Sequence, residues 1–326
     1  MEKRKLGSDG PEVSVVGFGS WALGGPYKFG WGPTDDDESI AAIVHALELG
    51  INWIDTAAVY GLGHSEEIVG RAIRSGTVGE DPFVFTKCGG FFKEGLGKVV
   101  YDLRPESIAQ ECEQSLRRLG LERIDLYQIH WPDNSTGTQI EDSWSAMNQL
   151  VEQGKVRWIG VSNFDTGLLD RCEALHHVTS VQPPLSLVKR QARNDVIPWA
   201  LDHVAGVLAY SAMASGLLTG KYDHARFAGL PADDWRRNSA AYQEPELSRI
   251  IDLVDCMKPV AADLGTTLPV LAVAWTLAVH GVTAVIVGAR RPEQVDGWIK
   301  AAELHLDSTA LAQLERCIVE SGAGLG

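Results

Sequence analysis

INWIDTAAVYG (51–61) is the stretch on which the fold turns. It opens as a short apolar run, stops on the carboxylate of Asp55, and places the phenol of Tyr60 in the loop that follows. Two later stretches repeat the plan. PFVFTKCG (82–89) ends its apolar run on Lys87, and IDLYQIHWPD (124–133) ends its own on His130. Short, continuously apolar runs are expected of parallel strands covered on both faces. A carboxylate, a phenol, an amine and an imidazole at successive strand ends can converge on one pocket and move a proton there.

The same unit recurs along the chain. Strand-like runs lie at 13–19, 51–56, 82–87, 123–130, 155–162, 178–183, 206–211 and 283–288. Helical periodicity follows each, as in DDDESIAAIVHALELG (35–50) and RPESIAQECEQSLRRLG (104–120), with acidic first turns, Pro105 near a start and Gly50 and Gly120 as stops. Further helices are read at 245–265, 268–281, 292–304 and 307–321, and residues 212–245 read as a long irregular loop. Eight βα units over 326 residues predict a (β/α)8 TIM barrel, an eight-stranded parallel barrel with extra helices and a long loop after strand seven, in one domain over residues 1–326. Such barrels carry their active sites at the C-terminal ends of the strands, where the four polar residues fall.

The bulk composition narrows the function. A net charge of −14 argues against nucleic-acid binding. The N-terminus is polar, and no run reaches the roughly 20 apolar residues of a membrane span. Five cysteines without a CxxC pattern read as reduced thiols in a cytoplasmic protein. His64-Ser-Glu-Glu and His176-His177 lack metal-ligand spacing. GFGSWA (17–22) fits the dinucleotide fingerprint, but a Gly- and Pro-rich loop follows where a helix must begin, so no Rossmann unit is expected.

A phenol with a reference pKa near 10 needs help to act at neutral pH. A neighbouring ammonium lowers that pKa, so Lys87, held by Asp55, is expected to tune Tyr60, with His130 orienting a substrate oxygen. Read singly, each of the four has an ordinary structural explanation, whether a strand-end cap, a loop aromatic, an ion pair or a turn histidine. Together on successive strand ends they are hard to explain that way.

The ordered segments DTAxxYG (55–61), TKC (86–88), DLYQIHWPD (125–133), GVSNF (160–164), AYSAMASGLLTGKY (209–222) and GARRPEQ (288–294) resemble those of the aldo-keto reductases, the bacterial general-stress type above all. The resemblance implies a barrel that reduces aldehydes or ketones with NADPH, NADH being the alternative. It assigns Tyr60 as proton donor, Lys87 and Asp55 as its partners, and His130 as the substrate-orienting group. For the nucleotide it implies Gly19, Ser20 and Trp21 at the first strand end. Ser162, Asn163 and Gln182 would lie at the nicotinamide carboxamide, with Tyr210 on its ring. Ser211, Ala212, Gly216, Leu217 and Lys221 would lie along the pyrophosphate. Gly288, Arg290 and Gln294 would lie near the adenosine 2′-phosphate, where a guanidinium favours NADPH. Gly297 and Trp298 stand where the family often has Glu-Asn, and Leu185 where it often has Tyr.

Aromatic residues crowd the expected catalytic face: Trp21, Tyr27, Phe29, Trp31, Phe91, Phe92 and Trp131. Trp21, Trp31 and Trp131 are read as substrate contacts in a fairly open pocket. The expected partner is a small carbonyl compound, acting on a monomer or small homo-oligomer. Two other functions fit the same barrel: a nucleotide-sensing subunit of the channel-β type, and a lyase using Lys87 as a Schiff base.

Overall fold

The computed structural model describes residues 1–27, 30–76, 81–93, 98–231 and 234–324, and omits the side chains of 91–98. Eight strands pair in parallel and close on themselves: Val16–Gly19, Trp53–Asp55, Phe83–Cys88, Ile124–Ile129, Val156–Ser162, Ser180–Gln182, Gly206–Ala209 and Ala284–Gly288. Closure is made by Val285, Val287 and Gly288 pairing with Val16, Phe18 and Gly19. This is the (β/α)8 barrel read from the sequence. Helices start where short acceptors permit: Asp35, Asp165 and Asp307 each cap a helix by accepting a backbone N–H.

The first strand was read one element too long. Glu12–Ser14 pairs antiparallel with Lys3–Lys5, and only Val16–Gly19 enters the barrel. Ser14 is drawn aside because its N–H donates to Asn52 Oδ1 at 2.7 Å and its carbonyl accepts Trp53 Nε1 at 2.9 Å. The hairpin brings Leu6 and Val13 onto Trp53, Phe85, Leu126, Leu208 and Ala284, filling the barrel interior. Gly17 makes room for the indole; a Cβ there would lie 2.1 Å from Trp53 Cε2. A buried Trp so placed is worth about 3–5 kcal/mol against alanine.

Three further readings change. The helix read over 292–304 ends at Asp296 and resumes as a 3-10 turn, Ile299–Ala302. Trp298, 2% exposed, turns into the core at the break. A hairpin, Gly90–Lys93 with Lys98–Tyr101, follows the third strand unannounced. Within 212–245 the chain forms short turns and helices, including Ala214–Thr219, His224–Ala228 and Trp235–Asn238.

The cysteine reading is corrected as well. Cys256 and Cys317 form a disulfide joining the helices Glu246–Asp263 and Ser308–Ser321, while Cys88, Cys112 and Cys172 are buried thiols. The pair is 61 residues apart in sequence, so no local motif marks it; only helix packing brings the two together. No single described helix is long and apolar enough to cross a membrane.

Candidate active site

The strand ends bring the four polar residues together. Asp55 closes the second strand, Lys87 lies one residue before the end of the third, and His130 follows the fourth. Tyr60 begins a tight turn after Asp55. That turn is fixed by contact with the first loop: Gly61 has φ 60°, and a Cβ on it would fall 1.9 Å from the Gly24 carbonyl oxygen. Lys87 Nζ donates to Asp55 Oδ1 at 2.6 Å and to the Thr56 carbonyl at 2.9 Å, and lies 3.5 Å from Tyr60 Oη. The Tyr60 and His130 rings meet edge to face, centroids 5.6 Å apart. The His130 backbone N–H donates to the Cys88 carbonyl at 3.0 Å.

Asp55 is gripped from a second side. Its Oδ2 accepts Gln182 Nε2 at 2.9 Å and Gln128 Nε2 at 3.5 Å, and Gln182 also donates to Gln128 Oε1 at 3.2 Å. Gln182 was expected beside a cofactor amide. Its backbone is indeed next to Ser162, whose hydroxyl donates to the Gln182 carbonyl, but its side chain points to Asp55. Gln128 escaped the sequence reading. The signal was there, a polar residue between Tyr127 and Ile129 in the strand interior, and such a residue needs a buried partner.

The protonation states differ from the expectation. Burial, then the charge of Asp55, then Tyr101 push the Tyr60 phenol well above its usual range, so Lys87 does not make it a phenolate. At neutral pH Tyr60 carries its proton and is an acid. Burial lowers the Lys87 ammonium from its ordinary value against the opposing pull of Asp55. Burial and the Lys87 charge hold His130 well below the usual imidazole range, so its ring is neutral and keeps one N–H to donate.

Around this centre Asn163, in a left-handed conformation with φ 62°, ties three groups together. Its Nδ2 donates to the His130 carbonyl and to Ser162 Oγ, both at 3.0 Å, and its Oδ1 accepts Tyr210 Oη at 2.7 Å. Tyr210 and Ser211 follow the seventh strand. Ser211, Ala214, Ser215 and Gly216 have positive φ, which turns successive peptide groups into a concave strap of the kind that holds anions. Ala212 and Leu217 in this segment are buried, and Lys221 just after it is exposed. An amide, a hydroxyl, a phenol ring and a left-handed strap on one rim fit a nicotinamide nucleotide in the chemistry of their donors.

At the first strand end Gly19 pairs with Gly288, and Ser20 Oγ donates to the Asp55 carbonyl at 3.0 Å, bracing that strand end. Trp21 Nε1 donates to Tyr27 Oη at 2.8 Å. Trp21, Trp31 and Trp235 pack together with ring centroids 5.4–5.9 Å apart. Trp131, 40% exposed, lies against Tyr101 across the mouth. Trp235 and Tyr101 were not read from the sequence, because the 3-10 turn Trp235–Asn238 and the strand Lys98–Tyr101 that carry them are too short to show a periodicity. Phe29 and the side chains of Phe91 and Phe92 lie outside the described residues. Arg290 and Gln294 do meet, but the Gln294 Oε1 accepts the Arg290 backbone N–H at 2.6 Å. The Arg290 guanidinium donates to the carbonyls of Trp31 and Pro33.

Glu111, on the helix Pro105–Leu119, was also missed. Its carboxylate accepts the Gly89 N–H at 3.1 and 3.2 Å, just past Lys87, and burial pushes its pKa up to about 8.

Comparison with known proteins finds relatives along nearly the whole chain. The family model for the Aldo/keto reductase family matches residues 15–319. Aldo-keto reductase YhdN of Bacillus subtilis is 35% identical over 321 residues, 96% of this chain and 94% of its own. The NADH-specific methylglyoxal reductase of Escherichia coli is 33% identical over 98% of this chain and 99% of its own. The structure of the glycerol dehydrogenase AKR11B4 from Gluconobacter oxydans superposes with a TM-score of 0.87 at 39% identity, covering 98% of this chain and 95% of that one.

Proposed function

The chain belongs to the aldo/keto reductase family, an oxidoreductase family acting on carbonyl and alcohol groups, and from that premise we propose a reaction and a role for each site residue. The reaction is reversible reduction of small aldehydes and ketones to alcohols. A nicotinamide nucleotide, NADPH or NADH, would supply the hydride when bound. Tyr60 delivers its proton to the carbonyl oxygen, and the neutral imidazole of His130 donates a hydrogen bond to that oxygen and fixes its approach. Lys87 places positive charge beside the phenol oxygen as it loses its proton, and Asp55 holds Lys87 in place. Gln128 and Gln182 fix Asp55 in turn.

Asn163, Ser162 and Tyr210 are the groups we assign to the nicotinamide, and the strap from Ser211 to Gly216 to the pyrophosphate. One observation carries the reading most strongly. Lys87 Nζ lies between Asp55 Oδ1 at 2.6 Å and Tyr60 Oη at 3.5 Å, and Tyr60 faces His130. The substrate is a small carbonyl compound bound against the Trp21–Trp31 wall and Trp131; flat aromatic faces suit apolar groups and the faces of polyol-derived carbonyls. The test is reduction of a panel of aldehydes and ketones with NADPH and with NADH. Tyr60→Phe is expected to lose about 10²–10⁴ in turnover while binding the nucleotide as before. Unchanged reduction by Tyr60→Phe would remove the assignment.

A further inference from the structure

HSEE (64–67) lacks metal-ligand spacing, yet its third residue is fully buried: Glu66 is 0% exposed. Glu66 sits in the first turn of the helix His64–Arg74, which begins where the Tyr60 turn ends. A buried carboxylate needs partners, and each of its oxygens has one. Oε1 accepts Thr86 Oγ1 at 2.6 Å, and Oε2 accepts Arg118 Nε at 2.6 Å. Thr86 is itself fully buried and stands immediately before Lys87. Arg118 comes from the helix Pro105–Leu119 and balances the carboxylate charge.

The carboxylate thereby joins the two segments that deliver Tyr60 and Lys87. Successive side chains on a strand point to opposite faces. Thr86 faces the helix layer, where Glu66 grips it, and Lys87 faces the mouth, where it reaches Asp55 and Tyr60. Arg118 presses on the other segment: a Cβ on Gly63, the last residue of the Tyr60 turn, would lie 2.5 Å from Arg118 Cδ. Ser65 secures the helix start toward the first two strands by bonding Ser20 and Thr56. Among the described side-chain hydrogen bonds, only that of Thr86 to Glu66 ties this helix to the third strand. The Glu66 charge also acts on Lys87: burial lowers the ammonium pKa, and Asp55 and then Glu66 oppose that.

We propose that Glu66 is a positioning residue for the proton-transfer pair. By gripping Thr86 and Arg118 it fixes the Tyr60 turn against the Lys87 strand and so sets the distance between Tyr60 Oη and Lys87 Nζ. This rests on the carbonyl-reductase reading of the site. The two atoms are 3.5 Å apart, at the outer edge of a hydrogen bond, so a small relative shift of the two segments breaks the contact. A misplacement of about 1 Å at such a site costs on the order of 10²-fold in rate, and loosening one tie is expected to cost part of that.

The test uses the full-length protein with Thr86→Val, Thr86→Ser and Glu66→Gln. Thr86→Val keeps the shape and the Glu66–Arg118 pair and removes only the hydroxyl. Its kcat for aldehyde reduction is expected to fall about tenfold, with KM for the aldehyde within about threefold of wild type. Thr86→Ser restores the hydroxyl and is expected to recover kcat to within about twofold. Glu66→Gln loses the charge on both bonds and is expected to lower kcat about tenfold, non-additively with Thr86→Val. Hydrogen–deuterium exchange of residues 57–63 in the nucleotide-free protein is expected to speed up about tenfold in Thr86→Val and to stay at the wild-type rate in Thr86→Ser. A Thr86→Val protein with wild-type kcat and exchange would overturn the proposal, as would a loss of kcat that Thr86→Ser shares, or one matched by an equal rise in KM. If Glu66→Gln does not fold, the two Thr86 variants still decide the question. If the wild-type protein reduces no carbonyl, the functional reading fails, while exchange at 57–63 still decides whether Glu66 holds the turn.

Discussion

Lys87 Nζ sits 2.6 Å from Asp55 Oδ1 with 0% and 4% of the two side chains exposed. An ion pair this deep is costly to break from one side, because the remaining charge has no solvent. Asp55→Asn keeps the shape and removes the carboxylate. It is expected to lose about 3–5 kcal/mol of stability in urea denaturation and most of its turnover. Lys87→Met should act similarly, with Asp55 left to Gln182 and Gln128. An Asp55→Asn protein with wild-type stability and kcat would show that the pair is incidental.

The pH dependence follows from the shifts at Tyr60 and His130. The phenol is raised by burial first, so it stays protonated through neutral pH. The imidazole is lowered by burial first, so it stays neutral. Both are the forms that reduction needs. kcat/KM for reduction is therefore expected to stay level from about pH 6.5 to about pH 10, with no break at the ordinary histidine value. Alcohol oxidation needs the phenolate and is expected to climb with pH over the same range. A bell centred near pH 6.5 in the reductive direction would contradict the assignment.

Glu111 makes a stability prediction. Burial raises its carboxyl from 4.5 to about 8, outweighing the Gly89 and Ser107 hydrogen bonds. A raised pKa means that the folded state holds the proton longer than the unfolded chain does. Its contribution to stability is therefore full below about pH 4.5 and is lost as pH rises to about 8, a swing on the order of a few kcal/mol. Glu111→Gln can still accept the Gly89 N–H and cannot ionise. It is expected to match wild type near pH 5 and exceed it at pH 9 in denaturant titrations. Equal pH slopes for the two proteins would refute the shift.

Much of the site could be read in one dimension. Asp55, Lys87 and His130 end apolar strands, and parallel strands in a barrel point their ends to one rim, so strand assignment alone brings them together. Helix starts at Asp36 and Thr166 were legible because the preceding aspartates cap locally. Gln128 and Gln182 were harder: whether a polar residue on a strand faces the barrel interior depends on register, which the run of residues does not fix. Trp298, the Cys256–Cys317 bond and the Arg290 contacts were not legible, since each depends on partners distant in sequence.

The (β/α)8 plan, the family and the four residues at the strand ends are written in local periodicity and ordered motifs, which a linear chain displays before it folds. The protonation of those residues and the partners they meet arise only on packing. Burial is a property of the packed barrel: it raises Tyr60 against the nearby ammonium, keeps His130 neutral and turns Glu111 into a weak acid. Side-chain partners likewise depend on which loops meet at the rim. Arg290, for one, donates to the carbonyls of Trp31 and Pro33, both far from it in sequence.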